Sequence, residues 1–140
     1  MSAMQRHKGA AFERKVANLL TEATGTIWRR RVRNQAGDSD VVADEPAFAR
    51  ISIECKHANT LCLPAWWRQA QDQAGEDGVP VLIYRQTGAR GESVMVDAHH
   101  VNSRIFPVRG RHTVIFGWEA AMQWMREMLP AKVTYSPGII

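Results

Sequence analysis

The chain has 140 residues, 45% of them hydrophobic and 23% charged, enough for one hydrophobic core and short for two. Its apolar runs are only a handful of residues long, which excludes a bilayer-spanning helix, and the opening MSAMQRHKGAAFERK lacks the apolar stretch of a secretory signal. The expectation is one domain over 1–140 in the cytoplasm, with a weakly anchored tail at about 130–140.

Residues 9–24 carry Phe12, Val16, Leu19, Leu20 and Ala23 at helical spacing, and Gly25 ends the run. TIWRRRVRN, from Thr26, is rich in strand formers but basic, and predicts a strand with a charged face before the NQAG turn. SDVVA predicts a short strand, DEPAFA a turn, and RISIECK a strand in which Ile51, Ile53 and Cys55 face one way and Ser52, Glu54 and Lys56 the other. Pro64 suits the first turn of a second helix, PAWWRQAQDQAGED, which stops near Gly78. VPVLIYR is apolar on both faces, as in a central strand covered by helices. ESVMVD and HTVIF predict further strands around an ambiguous 98–112, and GWEAAMQWMREML closes the pattern as a helix stopped by Pro130. The order αβββαβββα makes an α/β fold, a mixed central sheet flanked by helices.

Eighteen Lys and Arg stand against fourteen Asp and Glu. Their distribution says more than the balance: Arg29, Arg30, Arg31 and Arg33 lie within five residues, and Arg6, His7, Lys8, Arg14 and Lys15 crowd the N-terminus. Alternation along a strand groups Arg29, Arg31 and Arg33, with Arg30 on the opposite face beside Trp28. Such a stripe suits a nucleic-acid backbone, where arginines grip phosphates without reading bases. The cysteines, Cys55 and Cys62, have no companion pair for a zinc ribbon or a disulfide framework, and Cys55 reads as a small core residue. Trp66 and Trp67 read as packing residues, and His99 and His100 as loop.

Acidic residues in apolar strands need an explanation. Asp40 opens one strand, Glu54 and Lys56 share a face of the next, and a short turn brings Asp40 and Glu54 to one sheet end. Two carboxylates meeting there repel unless a cation lies between them or one holds its proton. A hard divalent cation suits them, because Mg²⁺ takes one or two carboxylates, keeps several waters and accepts phosphate oxygens. The competing reading is an exposed Glu54–Lys56 pair on an edge strand, of little energetic consequence.

At these residues the sequence resembles a family. Asp40 in SDVVA with Glu54 and Lys56 in SIECK is similar to the Asp…Glu-x-Lys signature of PD-(D/E)XK nucleases. KGAAFERKVANLL resembles the opening helix of archaeal-type Holliday-junction resolvases at Lys8, Gly9, Glu13 and Arg14, and Gln69 stands at that family's helix glutamine. The likeness covers roughly residues 6–86. Ser39 replaces the usual proline before the aspartate, and Asp38 is a rival ligand to Asp40.

The resemblance implies a restriction-endonuclease-like core and a Mg²⁺-dependent endonuclease, with Mn²⁺ as a substitute. Catalytic residues would be Glu13, Asp40, Glu54, Lys56 and Gln69, and metal ligands Asp40, Glu54 and the carbonyl of Cys55. Lys8, Arg29, Arg31 and Arg33 would contact DNA. The expected protein is a homodimeric Holliday-junction resolvase of phage or prophage, acting on branched DNA in recombination or repair. The alternatives are another structure-selective or nicking repair endonuclease, or a DNA-binding protein that kept the fold and lost cleavage.

Overall fold

A computed structural model describes residues 3–31 and 40–128 of the chain. Helix α1 (Ala3–Thr24) leads into strands β1 (Trp28–Arg30), β2 (Val41–Ala43) and β3 (Ile51–Ala58). Helix α2 (Leu63–Ala74) follows, then β4 (Val79–Gln86), β5 (Ser93–Asp97), β6 (Thr113–Gly117) and α3 (Trp118–Glu127). The six strands form one mixed sheet in sequence order, in which only β3 and β4 run parallel. That parallel pair requires a crossover, and α2 provides it. The observed order is the expected αβββαβββα.

Strand parity decides which helix covers which face. Ile53, Cys55, Val81, Ile83, Val94 and Val96 point to the face holding the main core, where Phe12, Val16 and Leu20 of α1 meet Met122 and Met125 of α3. On the opposite face Leu82, Tyr84 and Met95 pack with Ala70, and Trp66 and Trp67 lie against them. Two covered faces explain why β4 is buried from Val79 to Tyr84. Gly78 lets α2 turn tightly into β4, since any Cβ there would collide with the Ala74 carbonyl.

Helix α1 starts at Ala3, six residues before the periodic stretch expected from Gly9. Its first turns contain no breaker, and Met, Gln and Arg propagate a helix readily, so apolar periodicity alone misses them. The basic strand is described only as β1, over Trp28–Arg30; Val32–Ser39, with Arg33 and Asp38, lies outside the described residues. So does the tail from residue 129. The turn DEPAFA is a 3₁₀ turn at Pro46–Phe48 that seats Phe48 against Trp28, ring centroids 5.3 Å apart. The ambiguous stretch begins with a 3₁₀ turn at Ala98–His100. Buried Asp97 holds it, accepting from the His99 N–H at 3.0 Å and the Gly110 N–H at 2.7 Å. Among the described residues no helix is long and apolar enough to cross a membrane.

Candidate active site

The site forms where the β2 ladder ends. Asp40 stands one residue ahead of Val41, which pairs with Ile53. Its backbone N–H donates to the Ile53 carbonyl at 2.9 Å, and its Oδ2 accepts the Cys55 N–H at 2.8 Å. Asp40 is thereby clamped beside Ile53–Cys55 by its main chain and its side chain together. It is 7% exposed and neighbouring Glu54 only 3%, so both carboxylates are largely out of water.

Lys56, two residues along the same face of β3, places Nζ 3.3 Å from Glu54 Oε2. The other oxygen, Oε1, is buried and has no hydrogen-bonding partner among the described residues. A buried carboxylate oxygen in that state is costly and marks a place where a cation or donor belongs. Burial, then the charge of Asp40, pushes the Glu54 carboxyl up to about 7, against an opposing effect of Lys56.

Glu13 reaches the group from α1. Its carboxyl is also raised, by burial first and then by Asp40, while Arg30 and Lys56 counteract. Arg30 Nε donates to Glu13 Oε1 at 2.9 Å across a largely buried contact. Glu13, Asp40, Glu54 and Lys56 thus act on one another's charge, and Asp40 raises both glutamates. The Cys55 thiol is buried and raised well above its usual range, by burial and then by these carboxylates, which leaves it protonated and inert.

Asp40 and Glu54 present hard oxygen donors, of which Glu54 Oε1 has no hydrogen bond among the described residues, with an anion-compensating lysine alongside. These donors fit a divalent cation that completes its shell with a carbonyl, waters and phosphate oxygens. Among the described residues no group of three or more His, Cys, Asp or Glu side chains could hold a metal, so an all-protein cage is not built here.

The remaining expected site residues lie outside this group of side-chain contacts or outside the described residues. Gln69 is exposed on α2, while Gln73, one turn later, buries its Nε2 without a partner among the described residues. Arg29 is exposed and engages Asp44 through both Nε and Nη2, at 3.2 Å each. Arg31 is half-buried, with its backbone N–H on the Asp40 carbonyl. Arg33 and the Lys8 side chain lie outside the described residues.

Arg30 is the functional neighbour that sequence reasoning passed over. The signal was available: alternation set it on the core side with Trp28, and a guanidinium facing a core requires a partner.

A family model described as "Phage putative PDDEXK endonuclease" matches residues 4–124. No curated protein and no solved structure gives a significant match.

Proposed function

The chain belongs to the phage PDDEXK endonucleases, and on that premise we propose that it hydrolyses DNA phosphodiester bonds with Mg²⁺ held by Asp40, Glu54 and the Cys55 carbonyl. The observation that carries this reading is the buried Oε1 of Glu54 beside Asp40, without a hydrogen-bonding partner among the described residues. When bound, the cation supplies Lewis-acid polarisation of the phosphate.

The protein's own groups do the rest. Asp40 and Glu54 give the site negative charge that only a cation or a proton relieves. Lys56, held against Glu54 and about a quarter exposed, offers an ammonium to the charge that builds on the phosphorane oxygens. Glu13, oriented by Arg30, faces the same space and can accept a hydrogen bond from the attacking water. Gln69 would act from α2 by orienting a ligand of the site.

The substrate we assign is the four-way DNA junction, cut by a homodimer. Support comes from the opening helix with Gly9 and Glu13, and from the chemistry of resolution. Two matched nicks need two matched sites, which a two-fold dimer of this chain supplies.

The test is cleavage of a labelled junction in Mg²⁺ and in EDTA, with linear duplex, flap and single-stranded DNA of the same sequence alongside. Symmetric nicks confined to the junction are expected. Cutting of flaps alone, or of every substrate equally, would replace the resolvase with another structure-selective or nicking enzyme. Binding without cutting would leave a DNA-binding protein on a nuclease fold.

A further inference from the structure

On the α1 side of the sheet, at the same end of β3 as Lys56, a cleft of about 440 Å³ opens between α1 and the ends of β3 and β4. Phe12 and Lys15 line it from α1, His57 from β3, and Arg85 and Thr87 from β4 and the turn that follows. Its floor is set by the Phe12 and His57 rings, with centroids 5.2 Å apart. The positive φ of Gly88, 88°, turns the chain at its rim.

The charges of this cleft are built in. Glu92, whose side chain is only 6% exposed, receives Lys15 Nζ at 2.9 Å and Arg85 Nη1 at 3.4 Å. One inaccessible carboxylate therefore fixes two cations, and one positive charge is left over at the cleft wall. Lys15 remains 47% exposed and Arg85 27%, so both can still reach a ligand.

We propose that this cleft is a phosphate subsite for the DNA strand that runs through the catalytic cluster, with Lys15 and Arg85 as its anion grip. The proposal rests on the nuclease reading for its choice of ligand. Position supports it: His57 follows Lys56 directly on β3, and α1 carries Glu13 toward Asp40 and, two residues on, Lys15 toward the cleft. Lys56 shares the α2 face of the sheet with Glu54, so the strand would pass over the end of β3 to bring a following phosphate, ~3.4 Å of duplex axis per step along one strand, to this wall. Glu92 positions the two cations and does not itself touch DNA.

The experiment is fluorescence anisotropy of a labelled four-way junction and its linear duplex in EDTA, across a salt series. Wild type would be compared with Lys15→Gln and with Lys15→Gln/Arg85→Gln. The double variant should bind about 5- to 20-fold more weakly, and its log–log salt slope should fall by about one to two units, roughly 0.9 per lost phosphate contact. Lys15→Gln alone, where Arg85 still compensates Glu92, should lose about one unit, so the test survives if the double variant fails to fold. Unchanged affinity and slope in a folded variant would overturn the subsite. Because binding is read without Mg²⁺, the outcomes separate. Weakened binding by the variants alongside an uncleaving wild type would keep the subsite and discard the nuclease reading. Intact cleavage with unchanged slopes would do the reverse.

Discussion

Replacing Glu54 by glutamine should stabilise the metal-free protein while abolishing its response to Mg²⁺. Its carboxyl is moved from 4.5 to about 7 by burial and by Asp40. At about 1.4 kcal/mol per unit, that displacement corresponds to about 3–4 kcal/mol of differential stability. The sign follows from linkage. A carboxyl raised on folding favours the folded state when protonated, so its contribution is present below about pH 4.5 and lost as pH rises through about 7. Glutamine carries no charge and loses nothing over that window.

Against this, Lys56 gives up its partner, but at 26% side-chain exposure it can hydrate. A net gain of about 1–3 kcal/mol at pH 8 remains, or roughly 3–10 °C in midpoint at this chain length. Excess Mg²⁺ should raise the wild-type midpoint, by about 2.7 kcal/mol of stability at a hundred times Kd, and leave Glu54→Gln unmoved. Thermal unfolding at pH 5 and pH 8, in EDTA and in Mg²⁺, reads all of this. The reasoning is refuted if the variant is less stable than wild type at pH 8, if the gap is the same at both pH values, or if Mg²⁺ stabilises both alike.

Lys56→Ala should retain DNA binding and lose about 10²- to 10³-fold in cleavage rate, as when one donor to a developing oxyanion is removed; single-turnover kinetics measures it. Arg30→Ala strips Glu13 of its 2.9 Å partner and should lower stability by about 1–2 kcal/mol, with Arg30→Lys recovering only part, read by chemical denaturation. Phe48→Ala should cost about 3–5 kcal/mol, because the ring is 2% exposed and braces Trp28 under the strand that carries Arg30; a urea midpoint shift with unchanged slope is the expected signature.

The sheet was readable because each strand carries its own parity. RISIECK alternates over a whole strand, and VPVLIYR is apolar on both faces, so one was placed at a site and the other at the centre. Asp40, Glu54 and Lys56 were legible as charges that an apolar strand does not otherwise tolerate. Helix length was less legible, since the first turns of α1 owe their conformation to propensity and show no apolar stripe. Partner choice was not legible at all. Arg29 engages Asp44, fifteen residues away, and Arg30 of β1 engages Glu13 of α1, pairings set by tertiary register that no local pattern encodes. The cleft at Lys15 was hidden for the same reason: Lys15, His57, Arg85 and Glu92 are scattered over four segments, and only the topology gathers them.

The measurement that tests the central claim most directly is DNA cleavage by wild type and Asp40→Asn, in Mg²⁺ and in EDTA, on the junction and its control substrates. Asp40 raises the carboxyls of both Glu13 and Glu54 and is fixed by the Cys55 N–H at 2.8 Å, a contact asparagine can keep through its own oxygen. The account predicts Mg²⁺-dependent cleavage by wild type and none by Asp40→Asn, with DNA affinity in EDTA little changed. Cleavage that persists in Asp40→Asn, or that wild type sustains equally in EDTA, would contradict it.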